Sequence, residues 1–183
     1  MVVDTNVFNH FYAAGLVPQA GRLISQFPCP FVTLRSVYMR EAQDAVRNQC
    51  IEPWRQADKV EIVDGPEKRQ PLPKKERKLY KKIRRAARND PTSKVDDQLV
   101  FVAANRDLPL VTTERPIRDV AQTFGVRWYD FIDVADALKE FDLLDRREWQ
   151  DLYVNWPVHS DEDTLTLYAE SDEREADGRF ECG

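Results

Sequence analysis

The chain has 183 residues, 42% hydrophobic and 32% charged, with a formal net charge of −5, values that suit one soluble globular domain with an appended tail. No run of about 18 apolar residues exists and no basic-then-apolar leader opens the chain, so neither a transmembrane helix nor a signal peptide is expected. Three widely spaced cysteines without a CxxC, and only two histidines (His10 and His159), argue against a disulfide scaffold, a zinc site and a His-rich catalytic or metal site, and fit a reducing cytoplasm.

In chain order, MVV is a short buried strand. TNVFNHFYAAG follows as a helix with Val7, Phe8, Phe11 and Tyr12 on one face and Gly15 as its stop. PQAGRLISQF is a second helix with Pro18 near its start, and FVTL is a strand. SVYMREAQDAVRNQ reads as one helix capped by Ser36, with Val37, Met39, Ala42 and Val46 as its apolar positions. KVEIVD is a strand near a sheet edge, because Lys59 and Glu61 alternate with apolar residues. Pro71 and Pro73 interrupt. Residues 74–88 then form a basic helix with a narrow stripe of Leu79, Ile83 and Ala86/Ala87, ended by Asp90-Pro91. SKVDDQLVFVAANRD is a strongly apolar helix starting at Ser93, LPLVTTE is a strand, and RPIRDVAQTFG is a helix stopped by Gly125. VRWYDFI gives a last strand running into the helix DVADALKEF. About five strands with helical crossovers predict an α/β fold: a central parallel sheet with helices on both faces.

Charge is segregated along the chain. Lys74, Lys75, Arg77, Lys78, Lys81, Lys82, Arg84, Arg85 and Arg88 are nine cations in a stretch with one acid, Glu76. Residues 159–183 hold nine acids and two arginines, a charge of −7, so residues 1–158 sum to +2. Such asymmetry points to a polyanionic partner. The expected organisation is a domain over 1–157, with a basic insertion at 64–92, and an acidic tail over 158–183. The tail is poor in apolar groups and is expected to order only on binding, although DTLTLYAES alternates well enough for one strand.

Acids fall where strands stop and helices start. MVV ends at Asp4, LPLVTTE ends at Thr112, Thr113 and Glu114, Asp96 and Asp97 lie in the first turn after Ser93, and Glu41 follows Ser36 by about one and a half turns. In a doubly wound sheet those positions share one edge, where ligands bind. Clustered carboxylates repel unless a cation sits among them, and hard cations such as Mg²⁺ favour carboxylate oxygens. Each acid also has a plainer explanation: Asp4 as a helix cap, Glu41 and Glu114 as solvated surface acids, and Asp96 as the partner of Ser93 in a capping box.

Taken together, these blocks resemble the PIN-domain nucleases, the fold of VapC-type toxins and of several RNA-processing endonucleases. VVDTNVF is similar to that family's first strand and first acid, and SVYMRE to its second. VDDQLVFVAANRDLPLVTTERPIRDVAQTFGVRW is similar to its third and fourth, the most specific match. The resemblance covers roughly residues 1–140. It implies a PIN-like fold and Mg²⁺ or Mn²⁺ held by Asp4, Glu41, Asp96 and Glu114, with Asp97 as the alternative to Asp96. Asn6 would steady a water or the phosphate, and Thr112 would orient a ligand. The family's fourth acid is usually Asp or Asn, whereas this chain has the longer Glu114.

The function expected on this basis is metal-dependent hydrolysis of RNA in the cytoplasm, possible partners being an antitoxin or other protein and a second copy of the chain. The nine cations from Lys74 to Arg88 are the expected contacts to the RNA backbone. A binding module on the same scaffold, with weak or no catalysis, is the competing class. An aspartyl-nucleophile phosphatase is disfavoured, because the second Asp it needs two residues after the first is Asn6 here.

Overall fold

The structure, a computed structural model, describes residues 1–13, 15–26, 31–68, 71–89 and 92–148. The expected acidic tail and the Asp90-Pro91 helix end lie outside them. Five strands, β1 (Val2–Val3), β2 (Phe31–Leu34), β3 (Val60–Val63), β4 (Leu110–Val111) and β5 (Trp128–Tyr129), form one all-parallel sheet in the order β3-β2-β1-β4-β5. KVEIVD is thus an edge strand, as its alternation predicts.

Strand alternation divides the side chains between two cores. Val3, Phe31, Val60 and Val111 face α1 (Thr5–Ala13), α2 (Val17–Gln26), α3 (Asp44–Val46), α4 (Glu52–Gln56) and α8 (Phe131–Glu140). Val2, Val32, Leu34, Val63 and Leu110 face α5 (Lys74–Ala86), α6 (Lys94–Arg106) and α7 (Arg115–Thr123). Helices therefore cover both faces, as the order of elements predicts. On α6 every residue from Asp96 to Ala103 is buried, so this helix forms the middle of its layer. Phe101 of α6 meets Tyr80 of α5 edge-on at 5.4 Å, which ties the basic helix to the core. Among the described residues no helix is long and apolar enough to cross a membrane.

The chain winds outward from β1 to β3, then returns through α5 and α6 to place β4 on the other side of β1. The crossovers diverge between β1 and β4. In open α/β sheets that divergence leaves a crevice at the strands' carboxyl ends.

Several expected details are corrected. The single helix expected from Ser36 is broken at Ala42–Gln43, and Ser36 is itself helical with no capping bond. Val37–Glu41 is a π-helical turn in which Ala42 N–H donates to the Val37 carbonyl at 3.0 Å. A second π-helical turn, Arg47–Ile51, joins α3 to α4. The buried pairs Val37/Ala42 and Val46/Ile51 are each five residues apart, a spacing that i→i+5 bonding brings onto one face and a 3.6-residue turn does not. Met39 and Tyr12, expected to be apolar-face residues, are 56% and 36% exposed. On α5 the fully buried positions are Tyr80 and Ile83, followed by Ala87, while Leu79 is only partly covered.

Candidate active site at the carboxyl edge of the sheet

Asp4 leaves β1 directly into α1. Its Oδ1 accepts from Thr5 N–H at 2.6 Å and its Oδ2 from the Thr112 hydroxyl at 2.9 Å. Thr112 follows β4, next to β1 in the sheet, so the strand order alone brings two segments 108 residues apart into contact. The Thr112 oxygen also accepts from Glu114 N–H at 3.2 Å, which fixes the turn into α7. Glu114 in turn accepts from the Asn6 amide. Thr5 faces the other way along the edge, and its hydroxyl donates to Glu41 at 3.0 Å.

Asp96 completes the set. It forms the expected capping box: Ser93 accepts from the backbone of Val95 and Asp96, and Asp96 accepts from Ser93 N–H. Capping does not remove it from the site, because its charge is felt at both Asp4 and Glu41. Burial, the neighbouring charge of Glu114 and that of Asp96 push the Asp4 carboxyl up to about 7, against the hydrogen bonds from Thr112 and Thr5. Burial also raises Glu41, with Asp96 adding and the Thr5 hydroxyl opposing. Asp4 and Asp96 are buried, Glu114 is half-buried, and Glu41 stands at the exposed rim.

Asp97 is turned elsewhere. It accepts from Thr92 at 3.2 Å and lies 3.9 Å from the Arg84 guanidinium of α5. Burial raises its carboxyl as well, with Thr92 and Arg84 opposing and the charge of Asp96 adding. Its described partners thus belong to the basic helix and the loop before α6. The nine cations of residues 74–88 are all exposed. The Arg84 contact puts the last turns of α5 beside the acid edge, with Lys74 about 15 Å further away along the helix axis.

Among the described residues no group of three or more His, Cys, Asp or Glu side chains is drawn together tightly enough to hold a metal ion as it stands. Asp4, Glu41, Asp96 and Glu114 are each held by a hydroxyl, amide or backbone N–H donor. The donor set still suits a hard divalent cation: it offers carboxylate oxygens only, and mutual repulsion already destabilises the charged form of Asp4. Thr5, absent from the site residues expected from the sequence, lies between Asp4 and Glu41 and hydrogen-bonds to both. A hydroxyl residue directly after the first acid was the available signal. Compared with known protein families and with curated proteins, the chain matches none.

Proposed function

We propose that this chain is a PIN-type endoribonuclease, toxin-like or RNA-processing, that hydrolyses RNA phosphodiester bonds with Mg²⁺ or Mn²⁺. One observation supports the reading: Asp4, Glu41, Asp96 and Glu114, from four separate segments, are linked around the carboxyl end of β1 by one another's charge or by shared hydrogen-bonding neighbours. These four would hold the cation. Bound there, such a cation lowers the pKa of a water and stabilises charge on the phosphate oxygens.

The chain's own residues set up that chemistry. Thr112 and Thr5 hold the Asp4 carboxylate in place, and Thr5 also holds Glu41. Asn6 donates to the longer Glu114 side chain and would steer its carboxylate towards the cation. The exposed cations of α5 attract the RNA backbone without regard to sequence.

The separation of the acids favours a second reading, a PIN-like module that binds RNA without cutting it. Incubating single-stranded RNA with the protein in Mn²⁺ and in EDTA separates the two. The nuclease reading requires internal cleavage in Mn²⁺ that EDTA stops; retention of intact RNA under both conditions supports the module.

A further inference from the structure

A groove of about 410 Å³ opens beside the acid edge, between the π-helical turn Val37–Glu41, the loop after β3 and the first turns of α6. It abuts the site on two elements. Arg40 on its wall immediately precedes Glu41, and Val95 and Gln98 flank Asp96. Gly65 and Gln98 lie against each other on its lining. A Cβ on Gly65 would come within 1.9 Å of the Gln98 amide oxygen, so the missing side chain lets Gln98 pack directly against the loop after β3.

The groove's charges are of two kinds. Arg35 is paired with Asp64 and Lys94 with Glu67, each at 2.8 Å. Arg40 and Lys68 are exposed and make no side-chain ion pair among the described residues. Met39 lines the same groove, 56% exposed, on a turn whose Val37 is fully buried and whose Tyr38 is partly buried. An uncovered thioether that shares a groove with two cations making no ion pair among the described residues is a surface for a flat apolar ring that carries a phosphate.

From this we infer that the groove is a subsite for one unstacked nucleotide of single-stranded RNA, adjacent to the phosphate held at the acid edge. The base lies against Met39, and its flanking phosphates face Arg40 and Lys68. The volume is in the range of pockets that enclose a small ligand, and a base inside a duplex is stacked and cannot enter it. The inference rests on the endoribonuclease reading for its substrate, and it adds the groove residues that hold one unstacked nucleotide.

The test is fluorescence anisotropy with a fluorescein-labelled, mixed-sequence single-stranded RNA octamer in EDTA, over a range of salt, beside a duplex of the same sequence. The variants are Met39→Ala and Arg40→Ala/Lys68→Ala, all at exposed positions. The double variant is expected to bind the octamer about tenfold more weakly and to lower the log–log salt slope by about 1.4, two phosphate contacts' worth. Met39→Ala is expected to weaken octamer binding about threefold with an unchanged slope, and to leave duplex binding unaltered. Octamer affinity unchanged in Met39→Ala, or equal losses for octamer and duplex in the double variant, overturns the subsite. Groove-dependent binding without Mn²⁺-dependent cleavage keeps the subsite and removes the nuclease reading. Cleavage with groove-independent binding does the reverse.

Discussion

At the carboxyl edge of the sheet, Asp4 and Asp96 are buried and each of the four site carboxylates is held by a neighbouring donor. Along α5 and the turn after it, nine lysines and arginines stand in solvent, and Arg84 reaches towards Asp97 at 3.9 Å. The acids are few and fixed by specific hydrogen bonds, and at the buried Asp4 and Asp96 poor solvation makes each charge weigh heavily on the next. The cations are many, screened by salt and close to interchangeable. Losing one acid should therefore be decisive, whereas losing one cation should be a small, additive change.

The sharpest break in that comparison is a charge-removing change that keeps the side chain's shape. Asp96→Asn is expected to lower Mn²⁺-dependent RNA cleavage on the order of a thousandfold, the scale of several kcal/mol of lost charge stabilisation. Asp97→Asn, next to it but turned towards α5, is expected to stay within several-fold of the wild type. Single-turnover cleavage assays read both. If Asp97→Asn is the more damaging, Asp97 and not Asp96 is the third acid.

Thr112→Val keeps volume but removes the donor to Asp4 and the acceptor of Glu114 N–H. Cleavage should fall roughly 10- to 100-fold, as for loss of a positioning contact around a metal ligand. A variant with full activity would mean the Thr112 bond holds nothing that matters.

The acid edge should also cost stability. Asp4 has a folded pKa of about 7 against an ordinary 3.8, so the folded state binds the proton more tightly. Its contribution is fully favourable below pH 4 and is lost as pH rises through 7. Asp4→Asn, measured in EDTA, should raise Tm by roughly 5 °C at pH 8 and leave it near the wild-type value at pH 4. An equal or lower Tm for the variant at pH 8 would contradict the burial of a charged Asp4.

The smallest effects belong to the basic helix. Replacing Arg84, Arg85 and Arg88 with Ala, or separately Lys74, Lys75 and Lys78, should flatten the salt slope of RNA binding by about 2 per triple. kcat should stay within about twofold, because surface charge acts on encounter rather than on the bond being cut. A slope unchanged in both triples would leave α5 an ordinary solvated helix.

Much of the framework was legible because periodicity and punctuation agree. The β-branched runs at Val2, Val32 and Val60, with Gly15 and Gly125 at positive φ after their helices, set out the alternating order. Asp96 was legible as the Ser93 capping partner, and the structure shows that box while also placing its charge near enough to act on Asp4 and Glu41. The segment from Ser36 to Ile51 was not legible. Its buried pairs are five residues apart, and a reading at 3.6 residues per turn places Met39 in the core and Ser36 at a cap. The same π-helical turn carries Glu41 to Thr5 and leaves Met39 over the groove, so local sequence signals failed on the segment that brings the second acid in. The buried Arg118–Asp130 pair, 4.0 Å apart with Arg118 over the Trp128 ring at 4.8 Å, was equally invisible, since only the pairing of β4 with β5 brings α7 to the start of α8.

The central claim is that four acids from four segments act as one cation site. Electron paramagnetic resonance of Mn²⁺ titrated into the protein measures it without reference to RNA, by the loss of the free-ion signal. The wild type should bind Mn²⁺ saturably. Asp4→Asn, Asp96→Asn and Glu114→Gln should each weaken that binding at least about tenfold, and Asp97→Asn should match the wild type. Equal Mn²⁺ binding by all five proteins, or none by the wild type, would contradict the account.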